Sequence, residues 1–374
     1  MRNLLEGLPR RDLWLLPLVS LMTIVILLSA SEVLARVVWS EHLEDSCARH
    51  DPVLGTRFAA NCRSFVKSAE SPRVENSYNA CGFRSAGGCG PKPAGTYRVS
   101  VIGTSTGSGY LVPYPQTFYV RAATQITQQC HIPTDFQNLA IPGVSPENAL
   151  LRLDSALALK PNLVLMPVSA HDIDIIEPDG AGTAVAPATP THLSPKQMMA
   201  QLVKVLRNSR VMMMGQHFLY MNEDEYLPLY LQHGEEADFL RPPLSPVWQT
   251  KLTLFDQEVA TIAQRANAAG ASFMIVYVPQ RAQALLLKWH HLPGNVDPSL
   301  LGREIADIAA RHDVGYTDLT QTIGDRPDVV RLFYPVDSHP DVAGSAIIGQ
   351  SVASALVAQD NTLARCRERM AAAQ

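Results

Sequence analysis

The sequence predicts an α/β fold: a three-layer α/β/α sandwich around a parallel sheet, preceded by one N-terminal transmembrane helix. Three observations lead there. From about residue 97 onward, short β-rich runs alternate with longer helical stretches, the order that parallel pairing through right-handed crossovers requires. Near the start, LWLLPLVSLMTIVILLSA runs from Leu13 to Ala30 without a charge, about the length a helix needs to cross the hydrocarbon layer at roughly 1.5 Å per residue. Finally, 47% of the 374 residues are hydrophobic and 18% charged, enough to build a large core and unlike a disordered chain. The net charge of −4 lacks the basic surplus of a nucleic-acid binder, and no such partner is expected.

Arg2, Arg10 and Arg11 precede the uncharged run, and Glu32, Arg36, Glu41, Glu44 and Asp45 follow it. The positive-inside tendency then makes residues 1–12 a cytoplasmic N-terminus, 13–35 a signal-anchor in the inner membrane, and the remainder extracytoplasmic, that is, periplasmic. Ser29-Ala30-Ser31 and Val33-Leu34-Ala35 also resemble cleavage sites, so a removed signal peptide competes, against the length of the run. All six cysteines, Cys47, Cys62, Cys81, Cys89, Cys130 and Cys366, lie beyond it. None has a zinc-ligand spacing, and an even count in an exported domain reads as disulfides. Six cysteines allow about fifteen connectivities. The short spans from Cys81 to Cys89 and from Cys47 to Cys62 favour two local bridges, which leaves Cys130 with Cys366; a buried Cys130 with a free Cys366 is the alternative.

Residues 36–95 are polar and punctuated by Pro and Gly, a stalk and wrapped N-terminal extension. The main domain covers 96–360. YRVSVIG (97–103) is a strand, followed by a helical stretch near 116–128, the strand DFQNLA (135–140), the helix ENALLRLDSALAL (147–159) and the strand NLVLMPVS (162–169). Between about 177 and 245 the alternation fails. A Pro/Ala/Thr-rich loop, a helix at 195–208 and the segment VMMMGQHFLYMNEDEYLPLYLQ read as an insertion that roofs the site, its Met and aromatic residues as buried packing. SPVWQTKLTLFDQEVATIAQRANAAG is helical and closes on Gly270. The strand SFMIVYVP (272–279), a helix at 298–312, the short strand VGYTDL and a last helix at 341–358 complete the domain, and 361–374 is an Ala-rich tail. Sites in such sheets lie beyond the carboxyl ends of the strands, where Ser105, Ser169 and the loop before His339 converge.

Four stretches in that frame carry chemistry: Gly103-Thr104-Ser105-Thr106-Gly107-Ser108-Gly109, Asn138-Leu139-Ala140-Ile141-Pro142-Gly143, Val168-Ser169-Ala170-His171-Asp172, and Asp337-Ser338-His339-Pro340-Asp341-Val342-Ala343-Gly344. Their order and spacing resemble the four blocks of the SGNH (GDSL) hydrolase superfamily. Upstream, Asn79-Ala80-Cys81-Gly82-Phe83-Arg84 resembles the N-x-x-G-F-R element of membrane-anchored members, and Asp337-x-His339 has the form found in alginate-type O-acetyltransferases. The resemblance implies a flavodoxin-like sheet, no cofactor or metal, and Ser105 as nucleophile with His339 as base and Asp337 orienting it. A serine hydroxyl is a poor nucleophile until an imidazole takes its proton, and the imidazole needs an acceptor that fixes its tautomer. The implied oxyanion hole uses the Ser105 N–H, the Gly143 N–H and a third-block asparagine side chain. Here that asparagine position holds His171, still a donor, and Thr104 stands where the family has an acid.

These residues suggest a membrane-anchored serine esterase or O-acyltransferase acting on a carbohydrate or cell-envelope ester, within envelope polysaccharide machinery. The competing reading is a non-catalytic module that keeps the shell to bind glycan or brace an envelope assembly. Thr104 and His171 favour it; Ser105, Asp337 and His339 together oppose it. Asp172 and Asp174 read as helix-starting residues, and His131, His217, His233, His290 and His291 as surface or packing residues without ligand spacing.

Overall fold

The structure, a computed structural model, describes residues 11–177, 209–232 and 234–372. The expected helix at 195–208, most of the Pro/Ala/Thr-rich loop and His233 lie outside the described residues. Two compact units divide the chain. The first contains helix α1 (Asp12–Val38) and residues 209–218, which begin a helix at Arg210–Tyr220. α1 contains an apolar stretch, Trp14–Val38, long enough to cross a membrane, and its side chains are uncovered along almost all of it.

The second unit starts at His42. Its first part, the expected extension, forms two antiparallel hairpins: β1 (Ala48–Asp51) with β2 (Gly55–Phe58), and β3 (Arg63–Val66) with β4 (Val74–Ser77). A disulfide from Cys47 to Cys62 braces them. The main body alternates as the sequence predicts: β5 (Tyr97–Val101), the one-turn helix α2 (Ser105–Ser108), α3 (Phe118–Cys130), β6 (Thr134–Asn138), α4 (Asn148–Ala158), β7 (Leu163–Val168) and α5 (Ala170–Asp174). With Arg210–Tyr220 as α6, there follow α7 (Glu223–Tyr230), α8 (Pro246–Ala268), β8 (Ser272–Tyr277), α9 (Arg281–Leu286), α10 (Leu300–Arg311), β9 (Gly315–Asp318), α11 (Thr320–Gly324), α12 (Val342–Gln359) and α13 (Ala364–Ala372).

The five strands pair in parallel in the order β6-β5-β7-β8-β9. This is the doubly wound order of flavodoxin-like sheets, which reverses direction after the first strand. β5 and β7 are buried at every residue, because helices cover both faces. Residues of α4, α8 and α10 form one apolar core with the sheet, and residues of α3 and α12 form a second. The expected three-layer sandwich is therefore the fold observed.

α8 starts where Ser245 accepts from the Trp248 N–H with Pro246 at the first turn, a side-chain cap followed by proline. The Ala-rich end departs from the expected tail. It forms α13, with Cys366 fully buried and bonded to Cys130 at the end of α3. Arg369 adds a bond to the Cys130 carbonyl, and Arg367 bonds the Val357 and Ala358 carbonyls at the end of α12, so basic side chains satisfy helix C-termini. Within the second unit, the described part of the insertion packs: Tyr226, Leu227, Phe239 and Leu240 join the first core. Met212 and Phe218, by contrast, are exposed, so the packing expected of the Met and aromatic cluster holds only for its later half.

Candidate active site

The chain leaves β5 with the Ile102 N–H donating to the Leu165 carbonyl at 3.0 Å, turns, and begins α2 at Ser105. This places the serine at the carboxyl end of an interior strand. Space in the turn is tight. A Cβ on Gly107 would meet the Ala140 Cβ at 3.1 Å and the Ile102 carbonyl oxygen at 3.2 Å, and Gly109 ends α2 with a left-handed φ of 65°. Asp172 holds the turn from below. Its Oδ2 accepts from Thr106 Oγ1 at 3.0 Å, Ser169 Oγ at 2.8 Å and the Ser169 N–H at 2.7 Å, while Oδ1 accepts from Thr104 Oγ1. The Asp172 side chain thus satisfies a set of buried donors and ties the first chemical stretch to the third. It also closes a capping box with Ser169 at the start of α5, the helix-starting role expected of it. Asp174 pairs instead with Lys251 at 2.6 Å.

The other half of the site precedes α12, whose cap is Asp341, accepting from the Ala343 and Gly344 N–H groups. The Tyr334 N–H donates to the His339 carbonyl at 3.0 Å, the Ser338 N–H donates to the Tyr334 carbonyl at 2.9 Å, and Ser338 takes a left-handed φ of 66°. This tight turn folds Asp337 back onto His339. The imidazole Nδ1–H donates to Asp337 Oδ1 at 2.7 Å, and the Ser105 hydroxyl donates to Nε2 at 2.9 Å. Side chains 234 positions apart are thereby joined in one line. Tyr110 packs against the imidazole with ring centroids 5.1 Å apart.

Three supporting residues escaped the sequence reading or carried no role in it. Glu70, between β3 and β4, accepts from the Val336 N–H at 3.0 Å and the Asp337 N–H at 2.8 Å. Arg281, fully buried at the start of α9, donates to the Pro335 carbonyl at 3.5 Å and lies 4.3 Å over the Tyr226 ring. Both grip the backbone that carries Asp337. Arg84 does the same for the nucleophile loop, donating to the carbonyls of Ser108 at 2.8 Å, Gly109 at 3.0 Å and Val112 at 2.7 Å. Asn79 shapes the turn ahead of it by accepting from the Cys81 and Phe83 N–H groups, and a disulfide joins Cys81 to Cys89. The N-x-x-G-F-R stretch is the signal that marks Arg84; a lone glutamate in a polar extension gives none.

A cavity of about 260 Å³ opens over the site, lined by Ser105, Ser169, His171, Gln280 and Ser338 together with Asp337 and His339. His171 is exposed on its rim. The Gln280 Oε1 accepts from the Tyr230 hydroxyl at 2.6 Å. None of the described residues of the insertion lines this cavity, so the expected roof is not formed by them; Tyr230 and Tyr220 instead brace Gln280 and Arg281 from the side. A second, apolar cavity of about 20 Å³ also meets Ser105 and His339, with Val112, Phe118, Val278 and Ile348 in its wall. Gly143 is exposed in the loop after β6 with a φ of 76° and lines neither cavity. Among the described residues, no group of three or more His, Cys, Asp or Glu side chains is placed to hold a metal ion. His131 ends α3 in a left-handed conformation, and His291 packs edge-on to Trp289.

No family model and no curated protein sequence matches the chain. Among solved structures it is similar to TesA at 14% identity, over 70% of this chain and 98% of that one, with a TM-score of 0.40. It is similar to a lipase/acylhydrolase from Enterococcus faecalis at 11% identity, over 70% and 96% of the two chains, with a TM-score of 0.41. A third similarity is to the psychrotrophic esterase EstA from Pseudoalteromonas sp., at 12% identity over 69% and 96%, with a TM-score of 0.38.

Proposed function

We propose that the protein is a serine ester hydrolase or O-acyltransferase that works through Ser105, His339 and Asp337 on a carbohydrate or cell-envelope ester. The observation that carries this reading is the unbroken line from the Ser105 hydroxyl through the imidazole to Asp337, at 2.9 and 2.7 Å. In the first step Ser105 Oγ attacks the acyl carbonyl while His339 Nε2 takes its proton. Asp337 keeps the other ring proton in place and stabilises the imidazolium. The oxyanion meets the Ser105 N–H, which the first turn of α2 leaves unused, and the His171 ring on the cavity rim. The Gly143 N–H, from the loop after β6, is the further donor that the resemblance implies.

His339 then gives its proton to the departing alcohol. In the second half it deprotonates water or an acceptor hydroxyl, which takes the acyl group from Ser105, and it returns that proton to the departing Ser105 Oγ. The apolar cavity has room for about one water-sized group, which suits a short acyl chain. Anchoring by α1 with the site outside the cytoplasm is part of the same proposal. It is supported by the apolar length of α1 and by six cysteines joined in three disulfides, bonds that persist in oxidising compartments.

Hydrolysis of an aryl acetate tests the chemistry. Ser105→Ala and His339→Ala should each lower kcat by roughly 10⁴-fold or more, with the double variant no worse than either, because the members of such a unit act together. Full activity in Ser105→Ala contradicts the assignment, and an inactive wild type with several acyl esters favours the non-catalytic module.

A further inference from the structure

We infer that Gln280 selects the alcohol part of the ester: its amide N–H, held in place by Tyr230, donates to an oxygen of a polyhydroxylated alcohol such as a sugar. The inference rests on the proposed acyl transfer at Ser105 and adds how one alcohol is preferred over another. Both cavities meet Ser105 and His339. With the short acyl chain in the smaller, apolar one, the larger, of about 260 Å³, takes the alcohol, whose oxygen receives the proton from His339. Gln280 lines that larger cavity and not the smaller one.

The Gln280 side chain is clamped at one end and open at the other. Its Oε1 accepts from the Tyr230 hydroxyl at 2.6 Å, which leaves the two N–H bonds of Nε2 as the other half of the amide. Among the described residues Nε2 has no hydrogen-bond partner, and it is not buried. The neighbouring polar groups have other work: the Ser169 hydroxyl donates to Asp172, and the His171 ring on the rim serves the oxyanion in the proposed mechanism. Gln280 therefore offers an accessible donor on a half-buried side chain in the wall of the alcohol cavity.

The clamp belongs to a wider brace. Tyr226 and Tyr230, one turn apart on α7, meet two consecutive residues: the Arg281 guanidinium lies 4.3 Å over the Tyr226 ring, and Tyr230 holds Gln280. Arg281 also donates to the carbonyl of Pro335, two residues before Asp337. The amide is thus tied to the same backbone that carries Asp337 and His339. A donor held in this way loses little freedom when a ligand binds, which favours affinity for a ligand that can use it. Water and simple alkyl alcohols bring no second oxygen to reach Nε2, whereas a sugar brings several. A site built to hydrogen-bond such an oxygen discriminates against the analogue that lacks it.

Acetate release by the full-length protein from two primary esters of similar shape tests this. One is methyl glucopyranoside acetylated on its primary hydroxyl; the other is cyclohexylmethyl acetate, which lacks the ring oxygen and the hydroxyls. The wild type should prefer the sugar ester in kcat/KM. Gln280→Leu removes both ends of the amide, and Gln280→Glu keeps an acceptor for Tyr230 but has no proton to donate at neutral pH. Each should cut that preference by roughly 10-fold, through a higher KM for the sugar ester. Tyr230→Phe, which releases the clamp, should cut it by roughly 3-fold. A wild type without the preference, or a preference that survives in any of the three variants, overturns the inference; hydrolysis of an aryl acetate by the same wild type then leaves acyl transfer at Ser105 standing. A wild type inactive on the aryl acetate as well overturns both.

Discussion

The serine, the histidine and the aspartate are ordinary residues; their immediate partners distinguish them. Glu70 is the most informative of these, because its carboxylate receives two consecutive backbone N–H groups from the turn that carries Asp337. Removing it leaves those donors unpaired and frees the turn. Glu70→Ala should lower kcat on an aryl acetate by roughly 10²-fold, the cost of a small misplacement of reacting groups, with little change in KM. Glu70→Gln, which keeps an acceptor, should recover most of it. Equal losses in both variants, or a loss confined to KM, contradict a positioning role. His171 makes a second test. His171→Ala should lower kcat by roughly 10²-fold if its ring serves the oxyanion, and His171→Asn, which restores an amide donor, should retain activity. The four chemical stretches were legible because each is a short run of special residue types at fixed spacing. Glu70 and Arg281 were not, since a single charged residue gains meaning only when the fold brings a remote backbone to it.

At the scale of elements, the long strands and helices were readable from their periodicity, with ends displaced by one or two residues as fraying and capping allow. α2, α5, α9 and α11 are too short for a 3.6-residue period to show, and α13 was hidden in an Ala-rich stretch with few apolar contacts to pattern. α8 contains a feature that no periodicity reveals. Glu258 is buried on it, and neither carboxylate oxygen has a hydrogen-bond partner among the described residues. Burial, with a smaller contribution from Glu147, pushes its carboxyl up to about 8. In the unfolded chain the same group ionises near 4.3, as is usual for a glutamate. Between those values the folded protein binds the proton and the unfolded chain does not, so this group's stabilisation is full below the lower value and is lost as pH rises through the upper one. Melting temperatures measured from about pH 5 to about pH 9 should therefore fall for the wild type. Glu258→Met, close in volume and uncharged, should remove that part of the slope and melt higher at the alkaline end. An unchanged slope in the variant contradicts the assignment.

Within the second unit, the fold gathers residues from both ends of the chain onto one sheet. The disulfide from Cys130 to Cys366 closes a span of 236 residues and fixes α13 against the body. Cys366→Ser should cost about 2 to 4 kcal/mol, read as a lower denaturation midpoint with activity preserved, since α13 contributes nothing to the cavity. A variant that melts like the wild type contradicts a stabilising role for this bridge. The site itself depends on the same convergence: Glu70 and Arg84 from the N-terminal extension, Ser105 from the first strand of the sheet, and Asp337 with His339 from the turn before α12 meet in one place. The central claim is that this meeting activates Ser105. It is tested most directly by exposing the purified full-length protein to a fluorophosphonate and mapping the adduct by mass spectrometry. The account predicts one adduct on Ser105 that is lost in His339→Ala; no adduct, or an adduct on Ser105 that forms as readily in His339→Ala, would contradict it.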